Sequence, residues 1–367
     1  MKKRLPILLI CLVLIPVCAW ADFAESSTVF DPELARYAMK IAELCYSPAM
    51  QESVLAVGGY RRIGVFNADR AEEDERHVAT YAVYDRTNEK GTVEVIIAIR
   101  GTGRGEWKLN MELMPSGNYD LPYAENFALA AEDILNTQAD YLASLSSPAF
   151  LITGYSRGAA VANILGARLS ERFGEENVFA YTFATPRTVR GEFEPHGNIF
   201  NIVNPADLVT YLPFPQWGFK RYGVDIELPV ENPAMLEAAK TAYAARSDRS
   251  GSFPSFDGAV ETTQRVVSEM AELAPDPRSA YTLSHARTHP GEADGEEEGV
   301  TAGQFLLTIL EGGISHFQSS AGSEAAALTE NDFTPLLQIL QSASSDGSLS
   351  NMHMPAVYGA WMAAMEP

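Results

Sequence analysis

The amino-acid sequence predicts an α/β fold, with a mostly parallel central sheet flanked by helices. Thr92 to Ile99 (TVEVIIAI) and Ala149 to Thr153 (AFLIT) are short and apolar, which is typical of strands buried on both faces. After the second strand, the apolar residues between Val161 and Phe173 recur at helical spacing. Strands that alternate with helices indicate right-handed βαβ units around one sheet, whose chemistry gathers at the carboxyl ends of the strands.

The remaining elements of this core follow in chain order. Asp31 and Pro32 are a typical helix start, and the first helix is predicted to run to about Tyr46. The apolar stripe from Tyr123 to Leu145 predicts one long helix before the second strand. Four further strands are predicted, at 62–66, 78–84, 178–183 and 199–203.

Residues from about 229 to 349 differ in composition from the part before them. Three helical patterns occur there, near Pro233 to Ala245, Ala259 to Leu273 and Gln304 to Ile314. The stretch from Gly291 to Gly299 (GEADGEEEG) is polar and acidic, which predicts a solvated loop. We interpret this region as one long helical insertion before a C-terminal helix, within a single domain that spans residues 22–367.

The first 21 residues have the three parts of a signal peptide. A basic stretch, Met1 to Arg4, precedes an apolar run from Leu5 to Val17, and Ala19 and Ala21 supply the small residues of a cleavage site. The apolar run is shorter than the roughly 20 residues that a membrane-spanning helix needs. Cleavage after Ala21 would give a secreted or periplasmic chain with no stable transmembrane segment. The alternative is a signal anchor that stays in the membrane.

Composition argues against two classes of protein, the nucleic-acid binders and the disulfide scaffolds. The formal net charge is −21, and loss of the signal would remove three cations, so the chain should repel nucleic acid. Cys11 and Cys18 lie in the signal, which leaves Cys45 without a disulfide partner. A lone thiol can be a nucleophile, but Cys45 follows Tyr37 and Ile41 at helical spacing, which favours buried packing.

The strongest local signal is Gly154-Tyr155-Ser156-Arg157-Gly158, between the second strand and the helix after it. This is the setting of a G-x-S-x-G nucleophile elbow, in which a tight strand-to-helix turn exposes the serine hydroxyl. Side chains at the two glycine positions would collide with neighbouring backbone, and the helix N-terminus directs its dipole at a developing negative charge. Average Gly and Ser usage gives the bare pattern in roughly one chain of this length in eight. Its position between strand and helix is what predicts Ser156 as a nucleophile.

Four segments resemble the class 3 lipase family, the α/β-hydrolases that include the secreted fungal triacylglycerol lipases. They are Ile97 to Thr102 (IAIRGT), Thr153 to Ala160 (TGYSRGAA), Phe183 to Arg187 (FATPR) and Asn204 to Pro213 (NPADLVTYLP). The resemblance implies an α/β-hydrolase fold and hydrolysis of carboxylic esters. The elbow has Tyr155 where His is frequent in the family and Arg157 where Leu is frequent. Bacterial members often show the same departures, which therefore bear on substrate more than on activity.

The resemblance and the chain order of this fold assign three further residues. Thr102 ends a segment that supplies part of the oxyanion hole in the family, and the backbone N–H of Arg157 would be the second donor. In this fold the acid follows the serine and precedes the histidine. Asp207, on the loop after the 199–203 strand, fits that order and would hold a histidine in one tautomer. The alternatives are an ordinary glycine turn before Thr102 and a turn residue at Asp207.

Six histidines compete for the role of general base. His77 and His196 precede the acid in the chain, which excludes them by order. His353 stands before a short apolar C-terminal helix with Tyr358 five residues on, an arrangement that the family often shows. We predict His353 as the base, with His316 as the reserve.

Two further features bear on substrate and cofactor. Gly103 to Met114 lies where family members carry an interfacial lid, and its apolar side chains could meet an acyl chain or pack into the core. No CxxC motif, histidine cluster or Asp-rich loop has the spacing of metal ligands, so we predict no metal and no cofactor.

The sequence therefore predicts a secreted serine hydrolase that cleaves carboxylic esters of lipids, as a triacylglycerol lipase or related esterase. It would act through a Ser-Asp-His triad and an acyl-enzyme, on substrate at a lipid–water interface. The alternatives are a phospholipase A1 and a non-catalytic lipid- or surface-binding module on a hydrolase scaffold.

Overall fold

The computed structural model describes residues 23, 26–68, 78–102, 114, 116, 118, 120–247, 251–273 and 351–365. Nine strands lie within these residues: β1 (Arg61–Phe66), β2 (Tyr81–Thr87), β3 (Val93–Ile99), β4 (Pro148–Tyr155), β5 (Val178–Phe183), β6 (Val189–Arg190), β7 (Ile199–Val203), β8 (Phe219–Lys220) and β9 (Val224–Glu227). Seven of them form one sheet in the order β1-β2-β3-β4-β5-β7-β9, and β6 pairs with β8.

The central sheet is mostly parallel. The pairs β1–β2 and β2–β3 run antiparallel, whereas the four pairs from β3 to β9 run parallel. Strands β3, β4, β5 and β7 are buried along almost their whole length, as their continuous apolar sequences predict. The carboxyl ends of these strands therefore meet at one edge of the sheet.

Helices cover both faces of the sheet. Eight α-helices are described: α1 (Pro32–Leu44), α2 (Pro48–Val57), α3 (Glu125–Thr137), α4 (Ala139–Ser144), α5 (Arg157–Phe173), α6 (Pro233–Ala244), α7 (Ala259–Leu273) and α8 (Pro355–Ala364). One core cluster joins α1, α6 and α8 to one face, and a second joins α3 and α5 to the other. This layering confirms the predicted α/β-hydrolase class of fold.

Local sequence explains where the first helix begins. Asp31 is extended, and its Oδ1 accepts hydrogen bonds from the backbone N–H groups of Glu33 (2.8 Å) and Leu34 (3.1 Å). Pro32 then occupies the first helical position, where its missing N–H costs nothing. This cap is the one that the Asp-Pro pair predicts.

Several elements differ from the sequence-based expectation. The apolar stripe from Tyr123 to Leu145 forms two helices, because Gln138 leaves helical geometry and its Nε2 donates to the buried Tyr81 hydroxyl at 2.9 Å. Helix α2 and strands β6, β8 and β9 were not predicted. Strand β9 is short and polar, and it is an edge strand held by its pairing with β7.

The insertion is described in part. Its first two predicted helices are present as α6 and α7, whereas the third, near Gln304 to Ile314, lies outside the described residues. The proposed signal and residues 103–113 of the expected lid also lie outside them, while Met114 is buried in the core. Along the part of the chain that is described, no helix is long and apolar enough to cross a membrane.

Cys45, the cysteine that the sequence leaves without a partner, packs into the core beside α2. Its thiol donates to the Ile41 carbonyl at 3.5 Å, and its sulfur accepts from Gln51 Nε2 at 3.3 Å. Burial raises the pKa of this thiol to about 12, which leaves almost no thiolate at neutral pH. Cys45 is therefore a packing residue, as its place in the helical stripe predicts.

Candidate active site

Ser156 lies at the junction of β4 and α5, on the edge where the parallel strands end. Its backbone has φ 56° and ψ −126°, a region that a residue with a side chain adopts at a cost of about 1–3 kcal/mol. Its N–H donates to the Phe183 carbonyl (2.9 Å), and its carbonyl accepts from Ala159 (2.9 Å) and Ala160 (3.1 Å). The strand on one side and the helix on the other thus hold the strained residue in place.

Three glycines allow the backbone to approach this turn. A Cβ on Gly154 would lie 2.4 Å from the Gly158 carbonyl oxygen, and a Cβ on Gly158 would lie 2.4 Å from the Ile99 carbonyl oxygen. A Cβ on Gly101 would lie 2.8 Å from the Tyr155 carbonyl oxygen. Real Cβ atoms do not come this close to backbone, so the turn requires glycine at all three positions.

His353 lies on a turn just before α8, and its imidazole reaches two of the predicted site residues. Nε2 is 2.9 Å from Ser156 Oγ, and Nδ1 is 2.8 Å from Asp207 Oδ2. An ionised carboxylate can only accept, so Nδ1 carries the proton and Nε2 is free to accept from the serine hydroxyl. Ser156 and His353 both keep partial exposure to solvent, which leaves the reacting atoms accessible.

Asp207 is fully buried and surrounded by hydrogen-bond donors. Its Oδ1 accepts from the backbone N–H of Val209 at 2.9 Å, which caps a short 3-10 helix (Leu208–Tyr211). Its Oδ2 accepts from the Tyr358 hydroxyl at 2.8 Å as well as from His353. These donors compensate the carboxylate for the water that burial removes.

Tyr358, which the sequence marked only as an aromatic after the histidine, connects α8 to the loop of the acid. Its hydroxyl accepts from the backbone N–H of Asn204 at 3.0 Å and donates to Asp207. Burial, and then the charge of Asp207, raise its pKa well above the usual value, so the hydroxyl stays a donor. The tyrosine five residues after the histidine was the available signal, but its partner could not be read from the spacing.

The insertion also contacts the loop that carries the acid. Thr263, a fully buried residue of α7, donates its hydroxyl to the Ala206 carbonyl at 2.9 Å. Ala206 is the residue before Asp207, so α7 packs directly against the acid's backbone. Nothing in the sequence of the insertion predicted this contact.

The two predicted oxyanion donors flank the nucleophile. Arg157 is the first residue of α5, and its guanidinium is directed to the Val78 carbonyl (Nη2 to O, 2.9 Å). Thr102 follows Gly101, whose added Cβ would lie 3.6 Å from Ser156 Cβ, so the end of β3 passes beside the serine. Both residues therefore lie beside Ser156, at the edge where the parallel strands end.

The other histidines give no second site among the described residues. His196 is buried and pairs through Nδ1 with Glu175 Oε1 at 3.0 Å, near the end of α5 away from Ser156. His316, the reserve for the base, lies outside the described part of the chain. Within that part, no group of three His, Cys, Asp or Glu side chains could hold a metal ion.

Comparisons with known proteins point to one family. The family model of the class 3 lipases matches residues 96–217, about a third of the chain. A search of the curated proteins gave no match.

Solved structures of fungal lipases are similar to part of the chain. The native Rhizomucor miehei lipase in its propeptide complex is 20% identical with a TM-score of 0.42, over 55% of this chain and 69% of that one. The lipase from Rhizopus microsporus var. chinensis is 16% identical with a TM-score of 0.39, over 59% and 81%. Lipase II from Rhizopus niveus is 18% identical with a TM-score of 0.40, over 53% and 79%. These TM-scores are low, and each likeness is limited to between 53% and 59% of this chain.

The matched segment includes the nucleophile elbow and the loop of Asp207, and it ends well before His353. It also spans the strands β4, β5 and β7, whose carboxyl ends hold these residues. The part of the chain that holds Ser156 and Asp207 is therefore the part that matches the class 3 lipase model.

Proposed function

We propose that the chain cleaves carboxylic esters of lipids, with Ser156 as nucleophile, His353 as general base and Asp207 as the acid that orients the base. One observation carries this proposal. A continuous line of hydrogen bonds runs from Asp207 Oδ2 to His353 Nδ1 (2.8 Å) and from His353 Nε2 to Ser156 Oγ (2.9 Å). Both contacts are within the range in which a base can take a proton from a nucleophile.

In the first step, Ser156 Oγ attacks the ester carbonyl carbon while His353 Nε2 takes the hydroxyl proton. The carbonyl oxygen becomes negative, and the N–H groups of Thr102 and Arg157 stabilise it. His353 then gives its proton to the leaving alcohol as the carbon–oxygen bond breaks, which leaves an acyl-enzyme. Asp207 stays ionised and stabilises the imidazolium; it takes no proton itself.

In the second step, water replaces the alcohol. His353 takes a proton from the water as its oxygen attacks the acyl carbon, and it returns that proton to Ser156 Oγ as the acid leaves. No group outside this set of side chains is needed to balance the reaction. The partial exposure of Ser156 and His353 supports the entry of both ester and water.

The proposed substrate class is supported by the match to the class 3 lipase model and not by the geometry of the triad. A triacylglycerol, a phospholipid cleaved at its first acyl position and a short-chain ester would all present the same carbonyl to Ser156. We propose a lipid ester met at a lipid–water interface. A non-catalytic lipid-binding module is the alternative from another class, since a fold alone does not establish an activity.

The test is hydrolysis of a p-nitrophenyl ester series by the purified chain, with labelling by a fluorophosphonate probe. We expect turnover and labelling of the wild type, and loss of both in Ser156→Ala. Ser53→Ala is the matched control, because Ser53 is an exposed helix serine whose hydroxyl bonds only its own helix. Full turnover in Ser156→Ala would refute the nucleophile, and a wild type that never labels would favour the binding module.

A second assay separates the lipid substrates. Emulsified triacylglycerol, phosphatidylcholine vesicles and dissolved short-chain esters are offered at equal ester concentration to the active enzyme. We expect faster hydrolysis of the emulsified triacylglycerol than of the dissolved esters. Preferential release of the first acyl chain from phosphatidylcholine would identify a phospholipase A1 instead.

We also propose that residues 1–21 are removed during export, which would give a secreted or periplasmic enzyme. The basic, apolar and small-residue parts of this segment support the proposal. Mass spectrometry of the protein recovered outside the cytoplasm should give an N-terminus at Asp22. An N-terminus at Met1 in membrane-bound protein would contradict cleavage.

A further inference from the structure

The residue that carries the base is not inside a helix or strand. His353 lies on a turn, two residues before the first residue of α8. The position of its imidazole therefore depends on how the backbone of the turn is held. Two side chains hold it, and they come from the elements that carry the nucleophile and the acid.

The first of these side chains belongs to Tyr155, the residue directly before Ser156. Its hydroxyl donates a hydrogen bond to the backbone carbonyl of His353. Its ring centroid lies 5.3 Å from the His353 ring and 5.6 Å from the Tyr358 ring, the latter in an edge-to-face arrangement. Tyr155 thus fills the space between the end of β4 and the turn of the base.

The second side chain belongs to Asn204, three residues before the acid. Its Nδ2 donates to the Met352 carbonyl at 3.2 Å, and its Oδ1 accepts from the N–H of Ala206 at 3.0 Å. Consecutive carbonyls of the turn, at 352 and 353, are therefore bound from two directions. The bond from Asn204 fixes the turn relative to the loop of the acid. The bond from Tyr155 fixes it relative to the nucleophile.

We propose that the Tyr155 hydroxyl is a positioning group that sets the distance between His353 Nε2 and Ser156 Oγ. The inference rests on the proposed function, because it assigns a role within that triad. Tyr155 adjoins Ser156 in the chain, so the hydroxyl links the two reacting residues through one side chain. Removing it would let the turn move relative to the elbow while leaving the substrate's binding surface in place.

The surroundings of Tyr155 keep its hydroxyl a donor. The side chain is almost fully buried, and burial, followed by the charge of Asp207, raises its pKa well above the usual value. A protonated phenol has one hydrogen to donate, and the His353 carbonyl accepts it. The hydroxyl therefore stays protonated at neutral pH, where it can donate to the turn.

The test is Tyr155→Phe, which removes the hydroxyl and keeps the ring. We expect kcat to fall by about 10- to 100-fold, the loss expected when a reacting group is displaced by up to about 1 Å, with KM little changed. The rate of fluorophosphonate labelling should fall by a similar factor. All rates are divided by the number of sites that label at completion, so that unfolded protein does not count.

Tyr84→Phe is the matched control. Tyr84 is a fully buried tyrosine of the same core cluster, and its hydroxyl donates to Gln51 Oε1 at 3.0 Å, away from the triad. We expect it to lower the melting temperature about as much as Tyr155→Phe does, with kcat per labelled site within about twofold of wild type. Equal losses of kcat in the two variants would overturn the proposal, because they would indicate a general packing effect.

A second variant covers the case in which Tyr155→Phe does not fold. Tyr155→Met fills much of the same space with a flexible apolar side chain and has no donor, and the same fall in kcat is expected. Normal kcat per labelled site in either folded variant overturns the inference. Failure of the wild type itself to label would refute the proposed function, so the two failures are distinguishable.

Discussion

Ser156 lies in the segment that matches the class 3 lipase model, residues 96–217, whereas His353 lies in the C-terminal region outside it. The two residues are held in position in different ways. Ser156 is placed mainly by residues next to it in the chain, which are a strand, a helix and the glycines at 154 and 158. His353 is placed by side chains far away in the chain, at 155 and 204. The nucleophile is thus encoded locally, whereas the base depends on tertiary packing.

This difference explains why one residue has a recognisable motif and the other does not. An elbow needs glycine wherever backbone approaches backbone, and that need leaves a fixed pattern in the sequence. A turn held by hydrogen bonds to its carbonyls imposes no residue type on itself, since every residue has a carbonyl. The residues that hold it are instead distributed over other elements.

After the loss of turnover expected in Ser156→Ala, the largest effect should come from Asp207→Asn, within the matched segment. The amide can present an N–H to His353 Nδ1 and so favour the wrong tautomer, in which Nε2 cannot accept the serine proton. We expect kcat to fall by about 10⁴-fold while the fold is retained. Steady-state hydrolysis of a p-nitrophenyl ester, with circular dichroism of the same sample, measures both.

Asp257→Asn is the control for that substitution, because Asp257 is exposed and bonds only with Ser255 in its own turn. Its turnover should stay within about twofold of wild type. Near-normal turnover in Asp207→Asn would show that Asp207 is not part of the triad. Ser156 would then be the one triad residue within the matched segment.

Gly158→Ala tests how strictly the elbow is encoded. The new Cβ would lie 2.4 Å from the Ile99 carbonyl oxygen and 2.6 Å from that of Arg100, and neither backbone can move without disturbing β3. We expect the free energy of unfolding to fall by about 3 kcal/mol or more, as measured by urea denaturation. In Gly197→Ala the nearest atom is 3.7 Å away, so a change within about 0.5 kcal/mol is expected. Equal stability of the two variants would show that the elbow tolerates side chains.

The strands of the core were predictable because their sequences are continuous apolar runs. Val178–Phe183 and Ile199–Val203 have the bounds that the sequence predicts, since both are buried in a parallel sheet. Val224–Glu227 was missed because it is short and mostly exposed. It is a strand only through its parallel pairing with β7. Gln138 ends a helix through a hydrogen bond to Tyr81, 57 residues earlier, which no local pattern predicts.

In the site, too, local sequence predicts some residues but not the contacts between distant parts of the chain. Chain order and an aromatic five residues on led to His353, and the structure brings it within hydrogen-bond distance of Ser156 and Asp207. Its role in catalysis stays a prediction until the variants are assayed. The hydroxyls of Tyr155 and Thr263 could not be assigned from sequence, because both act on backbone carbonyls that carry no residue-specific signal.

Thr263→Val tests whether the insertion helps to position the acid, Asp207. The substitution keeps the shape and removes the hydroxyl that donates to Ala206, so a buried carbonyl loses its partner. We expect the free energy of unfolding to fall by about 1–3 kcal/mol. We also expect kcat to fall by about fivefold, because Asp207 shifts. Thr241→Val is the control, because its hydroxyl bonds its own helix at an exposed position. If the two variants have the same kcat, the insertion only adds stability and does not position the acid.

The smallest expected effect concerns the ion pair that joins the insertion to α1 across the C-terminal helix. Arg246 Nη2 lies 2.6 Å from Glu43 Oε1, beside Gly359 of α8, and both side chains are largely buried. A double-mutant cycle with Glu43→Gln and Arg246→Gln should give a coupling energy of about 1 kcal/mol in urea unfolding.

The exposed pair Lys240–Glu237, 2.7 Å apart within α6, is the matched comparison and should couple by only about 0.3 kcal/mol. Salt should weaken the exposed pair more than the buried one, because water and ions reach it more easily. Coupling in the buried pair that is no larger than in the exposed pair would mean that the insertion holds α8 by apolar packing alone. The placement of His353 would then depend on its backbone hydrogen bonds and on the α6–α8 core, with no electrostatic contribution from α1.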